Sequence, residues 1–423
     1  MTTPVTTPVT APDARTPGAL AGLKVLDLSR VLAGPLCTQM LADHGATVVK
    51  VESPAGDDTR RWGPPFLTED TSAYYANVNR GKKNIVVDLA TDQGRTILGT
   101  LLADADVVVE NFKAGTLAAW GYSDNVIRER WPALIHCRIT GFGTDGPLGA
   151  LPGYDAVLQA YGGLMSINGE REGPPLRIGV PVVDQVTGIL AFSGILLALH
   201  ERQRSGRGQL VDSTLLDTVI SLLHPHSASW LADGRVPSRT GSAHPTIAPY
   251  ENFATLDGLF FISAGNDRQF AALADVLGEP TLAVDPRFAT NPDRVRNVAE
   301  LRAILTDRIA RRRRAELSER LLARGVPASP VHDIAEAMTA PQVRHRELVV
   351  EQDGYRGVGV PIKLSRTPGH AAAPPSPAGG DTREVLAAAG CTAEQIAEAL
   401  ESGAVAARED GPTCRGGTPS GSA

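Results

Sequence analysis

Cysteine is scarce: Cys37, Cys137, Cys391 and Cys414 are the only four in 423 residues, and no two form a C-x-x-C pair. That spacing leaves no zinc ribbon, redox motif or disulfide framework, and it fits a reducing cytoplasm. Lysine is nearly as rare, six among 41 basic residues. The formal net charge of -6 leaves little room for a nucleic-acid or membrane-surface role, since both want a basic face. Long apolar runs are missing too. The longest, 188–200, is broken by Ser193 and Gly194 and reads as too short for a bilayer. The opening MTTPVTTPVTAPDARTPG has no basic or apolar region of the kind a secretory signal needs. A cytoplasmic, soluble protein is expected.

Several catalytic signatures are also absent. There is no P-loop, no G-x-S-x-G elbow and no H-E-x-x-H. His224 and His226 flank Pro225 without a third ligand in view, so they read as loop histidines and no metal site is expected. GFGTDG at 141–146 matches G-x-G-x-x-G. However, Pro147 and Gly149 stand where its helix should begin, and no acidic residue follows at the dinucleotide-binding distance.

What is present is a 42% hydrophobic chain long enough for two cores. Apolar segments at 23–28, 46–52, 85–89, 107–112 and 134–139 read as buried strands. Helical stretches alternate with them, at 34–43, 92–103 and up to Trp131. That rhythm predicts parallel βαβ units, an α/β fold with a doubly wound, Rossmann-like large domain. A smaller α+β domain is expected beyond about residue 225. It has a hairpin turning at Asp257-Gly258 and helices at 268–277 and 298–314. Strands at 348–352 and 358–364 and a helix at 382–400 follow. The division expected is a disordered tail at 1–18, a large domain beginning at 19–224, a linker and small domain at 225–330, a return segment at 331–404 and a tail at 405–423.

The most informative stretch is PPLRIGVPVVDQVTGILAFSGILLALHERQRSGRGQLVDSTLLD. Asp184 stands where a helix beginning near Thr187 would start. A helix cap is the plain reading of that position. The functional reading uses the same geometry: a helix N-terminus keeps a carboxylate ionised and offers N–H groups to an adjacent oxyanion.

Six blocks occur in order: LAGLKVLDLSRVLAGPLCTQMLADHGATVVKVESPAGDDTR, NVNRGKKNIVVDL, DVVVENFKAGTLAAWG, GFGTDGP, PGYDAVLQAYGGLMSING and SGRGQLVD. Over about residues 20–400 they resemble family III coenzyme A transferases. The resemblance implies that Asp184 is the nucleophile. A carboxylate suits the task, because its acyl anhydride keeps the transfer potential of a thioester where a serine ester would lose it. It further implies CoA binding by Leu32, Ala33, Val87, Asn111, Phe112, Lys113, Gly153 and Tyr154, with acyl-CoA and a carboxylic acid as substrates. It also implies no tightly bound cofactor and no metal, and an intertwined homodimer.

Arg80, Lys82 and Lys83 are read evenly as a phosphate site or a solvated turn. The second half is similar to the branch acting on dicarboxylates, with Arg177 and Arg268 as candidates for the distal charge. Three departures stand out: Ala119 replaces an arginine that some members use, AGNDRQF replaces a glycine-rich loop, and Asp381 stands in place of a late histidine. Two alternatives are carried. One is an α-methylacyl-CoA racemase, weakened by Tyr154 in place of a histidine. The other is a non-catalytic CoA- or dinucleotide-binding protein.

Overall fold

The computed structural model describes residues 17–352, 354–371 and 374–408. The expected tails therefore lie mostly outside the described residues. The chain divides into two compact units. The first takes the chain up to Leu158, then Val180–Ser221, then everything from His345 on. The second takes Gln159–Gly179 and Leu222–Arg344. The small domain expected at 225–330 thus falls in a unit that runs on to residue 344 and also takes 159–179.

The first unit is built on a seven-stranded sheet in the spatial order Val405–Ala406, Lys83–Val87, Thr47–Glu52, Lys24–Asp27, Val107–Glu110, Ile135–Thr140, Leu210–Thr214. Every neighbouring pair is parallel except the edge pair, where Val405 and Ala406 run antiparallel to Val87 and Val86. Continuous apolar strands such as Val107–Val109, fully buried, are what a sheet covered on both faces requires. Strand order reverses between Lys24–Asp27 and Val107–Glu110, so the crevice beyond their carboxyl ends is where an open α/β sheet binds its ligand.

The Ala33–Asp43 and Val182–Ser205 helices pack together on this sheet. Gly188 makes that possible: a Cβ there would sit 2.6 Å from the Ala33 carbonyl oxygen. The close approach sets the start of the second helix against the start of the first. At 24 residues the second helix is long and apolar enough to cross a membrane, which corrects the reading of 188–200 as too short. The helix begins six residues before that run and ends five beyond it. Val183, Thr187, Ala191, Phe192, Ile195 and Ala198 are buried in the protein, the stripe a core helix presents.

Several local expectations shift. Residues 405 and 406 belong to the sheet, since Val405 is apolar, buried and paired to Val87. The expected 382–400 helix is two, Thr382–Ala388 and Ala393–Glu401, parted by Gly390 at φ 95° and the Thr392 cap. The strand expected at 358–364 is Tyr355–Val358, paired with Val349–Gln352 and ending ahead of Pro361.

In the second unit Tyr250–Thr255, Gly258–Ser263 and Ala328–Pro330 form an antiparallel sheet. The hairpin loop is Leu256-Asp257, because Gly258 already pairs with Thr255. The helix expected at 298–314 breaks into Val298–Ile309 and Arg314–Ala323, with Asp257 accepting from the Arg314 N–H at 2.8 Å. This unit has its own core, centred on Phe260, Phe270, Phe288, Leu305 and Leu321.

Candidate active site

At the crevice predicted by the strand order, an open pocket of about 950 Å³, its mouth included, is formed by turns that follow four parallel strands. Leu32 and Ala33 follow the first strand. Asn111, Phe112 and Lys113 follow Val107–Glu110, Gly153 and Tyr154 follow Ile135–Thr140, and Asp184 completes the lining. Eight of the nine residues expected at the site are therefore brought together. Val87 is not among them: it lies in the core with Leu26, Val51 and Ile85, 1% exposed.

The turn carrying Leu32 is strained and held from below. Val31 has φ 72°, a left-handed backbone that a β-branched residue adopts at a cost of about 1–3 kcal/mol. Asn111 clamps its neighbour: its side-chain amide donates to the Arg30 carbonyl at 2.8 Å and accepts the Arg30 N–H at 3.0 Å. Asp57 accepts the Val31 N–H at 3.3 Å. Lys50 donates to the Ser29 carbonyl at 2.8 Å and pairs with Asp57 at 3.1 Å. Beneath them Asp27 takes the Ser29 N–H and pairs with Lys82 at 3.0 Å. Burial pushes Asp27 up, yet Lys82, Lys50 and the Ser29 and Thr38 hydroxyls together hold it at about 2. Burial pulls Lys82 down to about 8 despite Asp27 beside it.

These contacts revise two sequence readings. Asn111 spends its amide on the backbone across the crevice, which makes it a positioning group. Arg80 and Lys82 are neither a phosphate site nor a solvated turn. Arg80 is buried on Asp43 at 2.7 Å, and Lys82 is buried on Asp27, Asn79 and the Pro35 carbonyl. Lys83 pairs with Glu384 at 2.5 Å.

Asp184 is the third residue of the Val182–Ser205 helix, not its cap. The helix starts five residues earlier than expected, and Pro181 at the cap position makes no side-chain cap bond. Its free N–H groups are all spoken for. Val182 donates to the Val180 carbonyl, and Val183 and Asp184 donate to Asp155 Oδ1 at 2.7 and 3.1 Å. Buried Asp155 is thus the cap, supplied from 29 residues away. The N–H groups expected to favour an ionised Asp184 are thus taken by Asp155. Burial and the Asp155 charge push the Asp184 carboxyl up to about 7.

Tyr74 was missed by the sequence reading. Burial and the charges of Asp184, Asp155 and Asp57 push its phenol up to about 12, and Trp62 packs edge-on against it with centroids 5.3 Å apart. The only local signal was its place in TSAYYANVN, just ahead of the second family block.

The other first-turn donors differ. The Ala33–Asp43 helix has no side-chain cap, and among the described residues the Ala33 and Gly34 N–H groups have no hydrogen-bond partner. Arg30 and Lys113, both exposed, are cations on the pocket wall. Phe112 packs edge-on against Trp120, and its N–H donates to Glu110 at 2.7 Å. Among the described residues no group of three metal-ligating side chains occurs. Arg177 and Arg268 are exposed residues of the second unit. Asp381 accepts the Asn84 N–H at 2.7 Å, tying the returning chain to the sheet. Asn266 of AGNDRQF caps the Asp267–Leu277 helix.

Residues 20–382 match the family model described as CoA-transferase family III. The chain is 43% identical over 379 residues to a succinate–glutarate CoA-transferase of Agrobacterium fabrum, covering 87% of this chain and 95% of that one. It is 39% identical to an acetyl-CoA:oxalate CoA-transferase of Acetobacter aceti, covering 83% and 90%. Among solved structures, a CAIB/BAIF family protein from Brucella suis matches with a TM-score of 0.81 and 41% identity, covering 88% of this chain and all of that one.

Proposed function

Because this chain belongs to CoA-transferase family III, we propose that it moves coenzyme A from an acyl-CoA donor such as succinyl-CoA to a free dicarboxylic acid, through covalent intermediates on Asp184. The observation that carries the reading is Asp184 itself. It is a partly exposed carboxylate on the wall of the one crevice where the sheet's strand order reverses, facing the turns expected to hold CoA.

In this reading an ionised Asp184 oxygen attacks the donor thioester carbon. The new C–O bond replaces the C–S bond, and the thiolate leaves with the electron pair. The thiolate then attacks the aspartyl carbonyl, giving an aspartyl-CoA thioester and freeing the donor acid as its carboxylate. The acceptor carboxylate displaces the thiolate to form a second anhydride. Attack of the thiolate on the acceptor's carbonyl releases the new acyl-CoA and restores Asp184. Each step conserves the activated bond, so none needs an outside energy source.

The unpartnered Ala33 and Gly34 N–H groups are the donors available to a developing oxyanion, since Asp155 occupies those of the other helix. Arg30 and Lys113 suit the phosphates of CoA. The racemase reading finds no support in this pocket, whose lining holds Tyr154 and no histidine.

The relatives named above act on glutarate, succinate and oxalate, which differ in length but share two carboxylates. A panel of acyl-CoA donors against mono- and dicarboxylic acids, read by mass spectrometry, tests the proposal. New acyl-CoA is expected from dicarboxylates ahead of their monocarboxylate analogues. Equal use of both would remove the dicarboxylate assignment.

The Val182–Ser205 helix leaves Ile189, Leu190 and Leu197 exposed, Leu197 at 71%, an apolar run that a second copy would cover. We therefore also expect a homodimer. Sedimentation at micromolar concentration should give twice the 44.5 kDa chain mass, and a monomer would refute it.

A further inference from the structure

We propose that Asp155 is a positioning residue for the nucleophile. By taking the Val183 and Asp184 N–H groups and setting its own carboxylate beside Asp184, it makes Asp184 a more reactive nucleophile than an ordinary aspartate. The inference rests on Asp184 being the acyl carrier.

The geometry supplies two separate effects. A helix N-terminus normally stabilises a carboxylate in its first turn, both through the dipole and through free N–H groups. Here Asp155 Oδ1 accepts from Val183 at 2.7 Å and from Asp184 at 3.1 Å, and Val182 donates to Val180. No free N–H of that turn is left for the Asp184 side chain. The second effect is charge. Asp155 is 7% exposed, so its field on Asp184 is poorly screened.

The other titratable groups around Asp184 are Tyr74, from the Ala73–Asn79 helix, and Arg30, Lys113 and Tyr154 on the pocket wall. Tyr74 is neutral at working pH, held up by burial and by the charges of Asp184, Asp155 and Asp57. Arg30 and Lys113 are exposed and face solvent as well as the pocket, which weakens their counter-effect. Among these groups Asp155 therefore has the strongest effect on Asp184, added to that of burial.

The chemical consequence concerns the first step. Raising the basicity of a nucleophile raises its intrinsic reactivity, as for thiolates, while a smaller fraction is ionised at low pH. The position of Asp155 is also set by the fold. It begins the Asp155–Tyr161 helix two residues after Gly153, which lies against Gly141: a Cβ on Gly141 would come within 2.8 Å of the Gly153 backbone. A side chain at either glycine would push Asp155 away from the Val183 and Asp184 N–H groups.

The test is single-turnover release of CoA from acyl-CoA without acceptor, measured from pH 5 to 9 on the full-length enzyme. The unsubstituted enzyme should lose rate as pH falls through about 7, the value to which burial and Asp155 bring Asp184. Asp155→Asn keeps an acceptor for both N–H groups and removes the charge. Its ascending limb should move down by about one pH unit or more, with a slower plateau. Asp155→Glu, which keeps the charge, should hold the limb near the wild-type position.

An Asp155→Asn limb superimposed on that of the unsubstituted enzyme would overturn the proposal. If Asp155→Asn does not fold, a flat rate between pH 5 and 8 in the unsubstituted enzyme would overturn it equally. Failure of the underlying reading looks different. In that case no acyl or CoA adduct forms on Asp184 in any variant, at any pH.

Discussion

Asp184→Asn lowers CoA exchange by about 10⁴-fold or more while leaving CoA binding within a few-fold, because it removes the nucleophile and none of the turns that hold the substrate. The same substitution stabilises the protein at alkaline pH, and the sign follows from linkage. The Asp184 carboxyl is raised from the usual 3.8 to about 7, so between those values the folded state binds a proton that the unfolded chain has lost. Stability contributed by that proton is present at the low end of this window and lost as pH rises through about 7. Asparagine carries no such charge. Thermal melts should therefore place Asp184→Asn above the unsubstituted enzyme at pH 8, the gap closing toward pH 4. A residue serving only as a helix cap would show neither effect, since asparagine caps as well as aspartate. Near-normal turnover in a folded Asp184→Asn enzyme would end the nucleophile assignment.

Lys50→Met destabilises the first unit by about 3–5 kcal/mol, the cost of stranding a buried partner charge. Lys50 and Asp57 each have side chains 1% exposed and pair at 3.1 Å, and Lys50 also faces Asp27. Removing the ammonium leaves Asp27 and Asp57 in the interior with Lys82, itself held near 8, as the remaining ammonium beside Asp27. It also removes the donor to the Ser29 carbonyl, part of the frame that keeps Val31 in its left-handed conformation. Loss of CoA affinity should accompany the loss of stability. Lys50→Met with Asp57→Asn should recover part of the stability, because a neutral pair avoids the stranded charge. Chemical denaturation followed by calorimetric CoA titration checks both. A Lys50→Met enzyme within about 1 kcal/mol of the unsubstituted one would show that the network does not hold the turn.

The strands of the large sheet were legible because parallel strands buried on both faces are written as continuous apolar runs, as at 23–28 and 107–112. Asp184 was legible only through the order of six blocks, since one aspartate ahead of a helix is ordinarily a cap. What escaped was long-range polar geometry. Lys82 and Arg80 read in a local window as a phosphate site or a solvated turn, but their partners lie 55 and 37 residues away and the pairs are buried together. Asn111 reads as a ligand until its amide is seen closing on Arg30, 81 residues distant. Asp155 reads as part of Gly153-Tyr154-Asp155, with nothing to mark it as the cap of a helix beginning at Val182. Burial of Asp184 and that missing partner, neither visible in a local window, are what push its carboxyl up. Val87 misled in the opposite direction: its place at a strand end suggested a ligand, yet the antiparallel Val405–Ala406 strand covers it.

The most direct test of Asp184 as acyl carrier is to incubate the enzyme with donor acyl-CoA and no acceptor, add hydroxylamine, and sequence the peptide PVVDQVTG by mass spectrometry. Mechanism and geometry predict an activated carbonyl on Asp184, seen as an acyl or CoA adduct before hydroxylamine and as the hydroxamate after it. Asp184→Asn should show neither. An unmodified Asp184 in an enzyme that is turning over, or a hydroxamate on another residue, would contradict the assignment.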